Sequence, residues 1–276
     1  FVLSDNPATK ISGNSGESYS FFPSKVLEYK VDKEKVIRNG YIKAEEADRI
    51  NDKIDIKLSQ SYMFRNSFMI LDVIAASNWD RPVYFGITVP SEYYMGLLDN
   101  FSCEGFACKL VPYQGKFKDN MYGSIDTKKM YDRMMNLFLY TNLKDKKAYY
   151  DENCERMIGT YRNQFSRLVG ALIQEGDTLR ARKVLTKMDE VLPLPAYQGG
   201  YFMVNSIDYA YTLGMTSLAE KWMNYFLDRT GKELIYFARL DRRKNARNAQ
   251  DFSYETSLSY QALVNMRDIA MRHKLN

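Results

Sequence analysis

Histidine is almost missing from this sequence: His273 stands alone, three residues from the C-terminus. A Ser-His-Asp triad, a histidine general base and a Cys/His zinc site therefore have almost no raw material. At the fraying end of a chain, with nothing beside it in sequence, His273 is expected to lack any partner that orients it. Cysteine is scarce too. Cys103, Cys108 and Cys154 make an odd count, which excludes a disulfide framework. Cys103 and Cys108 flank Glu-Gly-Phe-Ala, so they can bridge across a tight bend in an oxidising compartment or stay as buried thiols among apolar neighbours. Long apolar runs are absent. Stretches such as Met69-Ile70-Leu71 and Val73 to Ala76 fall far below the ~20 residues that cross a bilayer. No charged-then-apolar leader follows Phe1, and a start on Phe is expected of a piece taken from a longer protein. The chain also lacks G-x-G-x-x-G, a P-loop, a nucleophile elbow and H-E-x-x-H. No cofactor or metal is expected, and the chain by itself is not expected to be an enzyme.

What is present belongs to an ordinary soluble globular protein. Hydrophobic residues make up 45% and charged residues 26% of 276 positions, enough for two structural units. Tyrosine is abundant at 22 residues, which suits helix seams and half-wet interfaces. Charge is uneven: residues 1–124 carry 15 Lys/Arg against 16 Asp/Glu, while residues 125–276 carry 24 against 18. Much of the excess sits between Arg239 and Arg247, a run that suits phosphates or an anionic membrane surface as well as a solvated helix face. No nucleic-acid motif accompanies it, so no nucleic-acid partner is expected.

Along the chain, residues 1–20 read as a Ser/Gly/Asn-rich lead-in. Val26, Leu27, Tyr29 and Val31 then read as a strand, and Arg38-Asn39-Gly40 as a hairpin turn returning through Tyr41-Ile42. Tyr62 to Ser77 reads as one buried helix, with Phe64, Phe68, Leu71 and Ile74 three or four apart, stopped by Pro82. Val83 to Val89 reads as a strand, Glu92 to Asn100 as a short helix capped by Ser91, and Gly105 to Pro112 as a second strand. That order implies a small α/β layer. Gly115 to Gly123 reads as a loop.

From residue 125 the pattern is helical. Asp126 opens a helix carrying Met130, Met134 and Leu137. Asp151 to Gly176 and its return past Ala181, Val184, Leu185 and Met188 form one hairpin. Met203 to Tyr211 and the return past Ala219, Trp222, Met223 and Phe226 form another. Gly176 and Gly214 lie 38 residues apart, as do Ala181 and Ala219. Glycine can take the left-handed angle that ends a helix, and alanine keeps crossing helices close. Family spacing of about 34 residues, with extra chain at Leu194 to Gly200, makes this a tetratricopeptide-like array. Ser253 to Lys274, with Tyr260, Leu263, Met266 and Ile269, reads as its capping helix. The fold class is thus α+β, mostly α: a small α/β unit over 1–124 and a tetratricopeptide-like helical hairpin array over 125–276.

Acids offer one further chemistry, since glycoside hydrolysis needs two carboxylates in a cleft. Glu45, Glu46, Asp48, Asp52 and Asp55 are interleaved with Lys and Arg in a hydrophilic stretch, which reads as solvated surface. Glu104, at a strand entrance, is the acid on which a carbohydrate-active enzyme would rest. If the array binds instead, its surface is expected to involve Tyr201, Tyr209, Tyr211, Tyr225, Arg242, Arg243 and Arg247.

The segment Asn78-Trp-Asp-Arg-Pro-Val-Tyr-Phe85 resembles part of a family of Gram-negative bacterial multi-pass membrane proteins. The resemblance continues through Tyr94-Met-Gly-Leu97, Glu104-Gly-Phe-Ala-Cys-Lys-Leu-Val-Pro112 and Asp126-Thr-Lys-Lys-Met-Tyr-Asp132. Their membrane half is similar to protein O-mannosyltransferases and other lipid-sugar glycosyltransferases, and their soluble tail ends in tetratricopeptide-like helices. This resemblance implies that the chain is a periplasmic accessory tail, with its own N-terminal membrane region and a protein or glycan as partners. It carries no active-site residue onto this sequence. In a periplasmic setting a Cys103–Cys108 bridge is chemically permitted. A purely architectural role, packing on the membrane half, would instead leave an apolar patch uncovered on the N-terminal unit near Phe1.

Overall fold

The computed structural model describes residues 10–12, 18–20, 24–58, 63–115, 118–119, 122–143, 145, 149–194, 203–242 and 249–275. The chain divides into two compact units, Phe1–Asp126 and Thr127–Asn276. It is mostly α with small sheets in the first unit and a helical array in the second.

In the N-terminal unit, β1 (Lys10–Ser12) pairs antiparallel with β2 (Ser18–Ser20), and β3 (Val26–Lys30) pairs antiparallel with β4 (Lys53–Lys57). Between β3 and β4 the chain makes helix α1 (Lys33–Arg38), not the hairpin expected at Asn39-Gly40. Asp32 caps α1, its Oδ1 accepting from the Lys35 amide at 3.0 Å, and Gly40 ends the helix at φ +70°. The Gly40 amide bonds the Ile37 carbonyl and the Tyr41 amide bonds the Val36 carbonyl, the paired pattern of a glycine-ended helix.

Helix α2 (Arg65–Ser77) is not buried all round as expected. Leu71 and Ile74 are buried, while Phe64 before it and Met69 and Val73 within it are exposed. It ends in two left-handed residues, Asn78 and Trp79, which turn the indole inward until it is 2% exposed.

A five-stranded sheet follows, in the order β5-β7-β6-β9-β8, from β5 (Tyr84–Gly86), β6 (Phe101–Cys103), β7 (Ala107–Leu110), β8 (Lys118–Asp119) and β9 (Gly123–Ile125). The expected strands over 83–89 and 105–112 are present but shorter, and they pair antiparallel. The helix expected over 92–100 is two 3-10 turns, Ser91–Tyr94 and Leu97–Asn100, broken where Met95 and Gly96 take left-handed angles. The loop expected at 115–123 contributes β8 and leads into β9, which runs parallel to β6. One sheet face is apolar, with Phe85, Phe101 and Leu110 buried; Phe85 lies 4.7 Å from Phe101 between ring centres. The row Tyr84, Lys109, Ser102, Ser124 runs across the other face.

In the C-terminal unit, α3 (Thr127–Asp132) passes into a wider turn over Arg133–Leu137; Met130 and Met134 are buried, but Leu137 is exposed. Four helices then form two hairpins: α4 (Glu152–Gln174) with α5 (Thr178–Val191), and α6 (Met203–Thr212) with α7 (Thr216–Arg242). Asp151 and Asp177 cap α4 and α5, accepting from the Cys154 and Arg180 amides at 2.8 and 3.0 Å. Gly176 and Gly214 sit at φ +79° and +70°, and each is followed by the same pair of closing backbone bonds. Phe165, Leu168, Val169 and Leu172 of α4 meet Ala181, Val184, Leu185 and Met188 of α5, all buried. α4 also packs on α6, where Gly170 admits the Tyr209 side chain. Helix α8 (Ala249–Arg272) begins before the expected Ser253 and packs on α6 and α7 through Ala262, Met266 and Ile269. Tyr260, expected in that apolar stripe, is 64% exposed and Ala262 is the buried residue at that end, while Met266 and Ile269 are buried as expected.

Candidate functional site

A groove of about 550 Å³ opens where α8 lies against α6 and α7. Residues Met223 and Leu227 of α7 and Leu263, Met266 and Ala270 of α8 give it an apolar lining, with polar positions at Glu220, Asn224 and Arg267. Such a volume lies in the range of sites that take a drug-sized molecule or a few side chains of a peptide. Methionine is the natural lining for an adaptable site, being unbranched and polarizable. Arg267 is held in an ion pair with Asp268 at 2.8 Å.

Tyr211 of α6 lines one end of this groove. Its ring stacks on His273 with centroids 5.3 Å apart and planes 27° from parallel. Burial, and then the nearby Glu220 carboxylate, push the Tyr211 phenol above its ordinary range. His273 is therefore not the unoriented terminal residue expected from sequence. Its Nε2 lies 2.8 Å from Asp208 Oδ1, and Asp208 also accepts from Arg272. Asp208 and His273 are 65 residues apart. No local pattern announces that contact; the buried Met266 and Ile269 of α8 bring it about.

The predicted binding residues do not all come together. Tyr209 and Tyr211 lie two apart on α6, on different sides of the helix: Tyr209 turns to Gly170 of α4 and Tyr211 to His273. Tyr225 on α7 is half-buried. Arg242 ends α7. Tyr201, Arg243 and Arg247 lie outside the described residues.

The N-terminal unit places the remaining candidates. Cys103 and Cys108 face each other across the antiparallel pair β6–β7 and are closed as a disulfide, both buried. Glu104, in the turn that follows Cys103, is 2% exposed and accepts a hydrogen bond from the Tyr84 hydroxyl at 3.0 Å. It lines neither the α6–α7–α8 groove nor a smaller one between α2 and β5. No group of three His, Cys, Asp or Glu residues that could hold a metal occurs among the described residues. Lys109 is buried with its ammonium 4.0 Å above the centre of the Tyr41 ring. A second, smaller groove of about 250 Å³ is lined by Met69, Ile70, Val73, Val83, Tyr84, Phe85 and Val89. It joins the exposed side of α2 to β5, the edge strand of the sheet.

Tyr41 also gives this unit an alkaline dependence, which it shares with Tyr29, whose phenol is likewise pushed up by burial. Burial, then the neighbouring Tyr29, Tyr84 and Asp80, push the Tyr41 phenol from the ordinary 10 up to about 12. The fold favours the neutral phenol, so its stabilisation is complete below pH 10 and is lost as pH rises from there through about 12. In a 295 nm tyrosinate titration with parallel circular dichroism, the wild-type N-terminal unit should weaken across that window. Tyr41→Phe should flatten the loss. An unchanged pH dependence in the variant would assign the alkaline limit to other groups.

Comparison with known families bears on the first unit. Residues 1–129 match the family model described as TMEM260-associated domain 2. No curated protein and no solved structure matches the chain. The TMEM260-associated match covers the disulfide, buried Glu104 and the α2–β5 groove, and ends within α3. It does not reach the groove of the helical unit. Among the described residues, no helix is long and apolar enough to cross a membrane.

Proposed function

We propose that this chain is a non-catalytic accessory module of a membrane glycosyltransferase-like protein and that its helical unit binds a segment of partner polypeptide. The observation that carries the binding reading is the α6–α7–α8 groove, apolar within and polar at Glu220, Asn224 and Arg267. Its methionines and leucines suit peptide side chains. A glycan would call for open aromatic faces, and one face of Tyr211 is taken by His273. Two hairpins of 38-residue spacing support reading this groove as part of an array of tetratricopeptide type, an architecture that presents extended binding surfaces. The TMEM260-associated match supports the link to protein O-mannosyltransferase-like membrane proteins. The Cys103–Cys108 disulfide supports an oxidising compartment such as the periplasm.

The test is a displayed random-peptide library screened beside a glycan array. Peptides with apolar anchors should be enriched, and Leu227→Asp, on a 40% exposed groove residue, should lower their binding roughly tenfold. Selective glycan capture, peptide binding indifferent to Leu227→Asp, or sugar transfer by the chain alone would each defeat the reading.

The α2–β5 groove supports a companion role, in which the N-terminal unit packs on the membrane half of the same protein. Met69→Asp, on a 66% exposed residue, should then release the tail from detergent-solubilised membrane half without unfolding it.

A further inference from the structure

Helix α7 is far longer than its hairpin partner, with 27 residues against 10 in α6. Along its second half, Lys232, Ile235, Tyr236 and Arg239 recur at the spacing that places them on one side of a helix. All four are exposed, Ile235 at 54% and Tyr236 at 58%. Lys232 is held by Asp228 at 2.7 Å, one turn earlier. Tyr236 keeps its ring edge-on to Phe237, 5.7 Å between centroids. In sequence, four more cations, Arg242, Arg243, Lys244 and Arg247, and one acid, Asp241, follow Arg239.

A solvated face explains cations. It does not explain an isoleucine and a tyrosine left in water between them. Apolar side chains flanked by Lys and Arg on one exposed helix stripe are the pattern of a helix that lies in the headgroup layer of an anionic bilayer. Tyrosine is at home there because its ring is apolar and its hydroxyl reaches water. An acidic protein would need a shaped pocket for each apolar side chain, whereas a headgroup layer accepts both without one.

We propose that the exposed stripe of α7 seats on an anionic membrane surface. Ile235 and Tyr236 enter the headgroup layer, and Lys232 and Arg239 meet lipid phosphates. This contact is independent of the α6–α7–α8 groove, so either can fail without the other.

The experiment is co-sedimentation of the whole chain with phosphatidylcholine vesicles with and without phosphatidylglycerol, at low and high salt. Binding should be roughly tenfold stronger with phosphatidylglycerol and should weaken with salt. Arg239→Glu should reduce it roughly tenfold, and the double change Ile235→Ser, Tyr236→Ser by a similar factor. All three residues are exposed, so helix content should hold, and circular dichroism checks this. Tyr236→Trp reads insertion directly, through a blue shift of its emission with the anionic vesicles only. Equal sedimentation with neutral vesicles, binding unchanged in both variants, or no blue shift overturns the proposal.

Discussion

Trp79→Ala is expected to destabilise the N-terminal unit by about 3–5 kcal/mol, the cost of emptying a fully packed aromatic site. The indole is 2% exposed, stacks on Tyr29 at 5.0 Å between centroids and meets Tyr41 edge-on at 5.5 Å. Its Nε1 donates to the Lys30 carbonyl of β3 at 3.0 Å. The backbone around it is tied down as well. Asn39 Nδ2 donates to the Trp79 carbonyl at 2.8 Å, Tyr41 Oη to the Arg81 carbonyl at 2.9 Å, and Lys35 Nζ to the Asn78 carbonyl at 3.1 Å. The indole thus joins the end of α2 to β3 and to Tyr41, and the backbone bonds tie the same corner to Lys35 of α1 and to Asn39 just after it. Trp79→Phe keeps most of the ring and loses the Nε1 bond, and should cost about 1–2 kcal/mol. Urea unfolding followed by near-ultraviolet circular dichroism separates the two. Equal losses in both variants would place the weight on the hydrogen bond instead of the packing.

The Trp79 site also explains the Asn78-Trp-Asp-Arg-Pro stretch, whose resemblance to a membrane-protein family was visible in the sequence. Its chemistry is architectural: two left-handed residues and a buried indole that turn the chain from α2 toward β5. Nothing local foretells that. The indole's partners Lys30, Tyr29 and Tyr41 lie about 40 to 50 residues upstream, and a single sequence carries no record of such contacts.

The helical unit was far more legible, because its signals are local. The stripes Phe165 to Leu172 and Ala181 to Met188 are buried as their spacing requires, and Gly176 and Gly214 take the positive angles that end α4 and α6. The five-stranded sheet was half hidden. Its strands are two to four residues long, too short for alternation to show, and β9 pairs with β6 from 22 residues away. Asn39-Gly40 misled for a different reason: the positive φ of a hairpin turn and that of a helix end ask for the same residue. In the structure Asp32 caps the helix, a contact that the turn reading took no account of. In the groove, Tyr211 was readable as a tyrosine on a helix face, but its stacking on His273 is tertiary, as is the Arg272–Asp208 ion pair.

Trp222→Ala should have an effect of the same size, about 3–5 kcal/mol, on the helical unit. Trp222 is 1% exposed on α7, and its Nε1 donates to Asp189 Oδ1 of α5 at 2.9 Å. Asp189 also takes Lys221 Nζ at 2.8 and 2.7 Å. Residues 33 apart thus link the returning helix of one hairpin to that of the next. The chain has two tryptophans, one in each unit, so in Trp79→Phe the emission of Trp222 alone reports on the helical array. Asp189→Ala in that background leaves the indole donor buried without its carboxylate and should cost about 1.5–3 kcal/mol. Because the two side chains touch, Trp222→Ala and Asp189→Ala should be less costly together than the sum of the separate losses, by about 0.5–3 kcal/mol. Strict additivity would mean that the hairpins are coupled through the packed alanines and leucines, and not through this hydrogen bond. Coupling of the expected size would make Asp189 the residue that sets the register between hairpins, and so the shape of the groove that α8 closes.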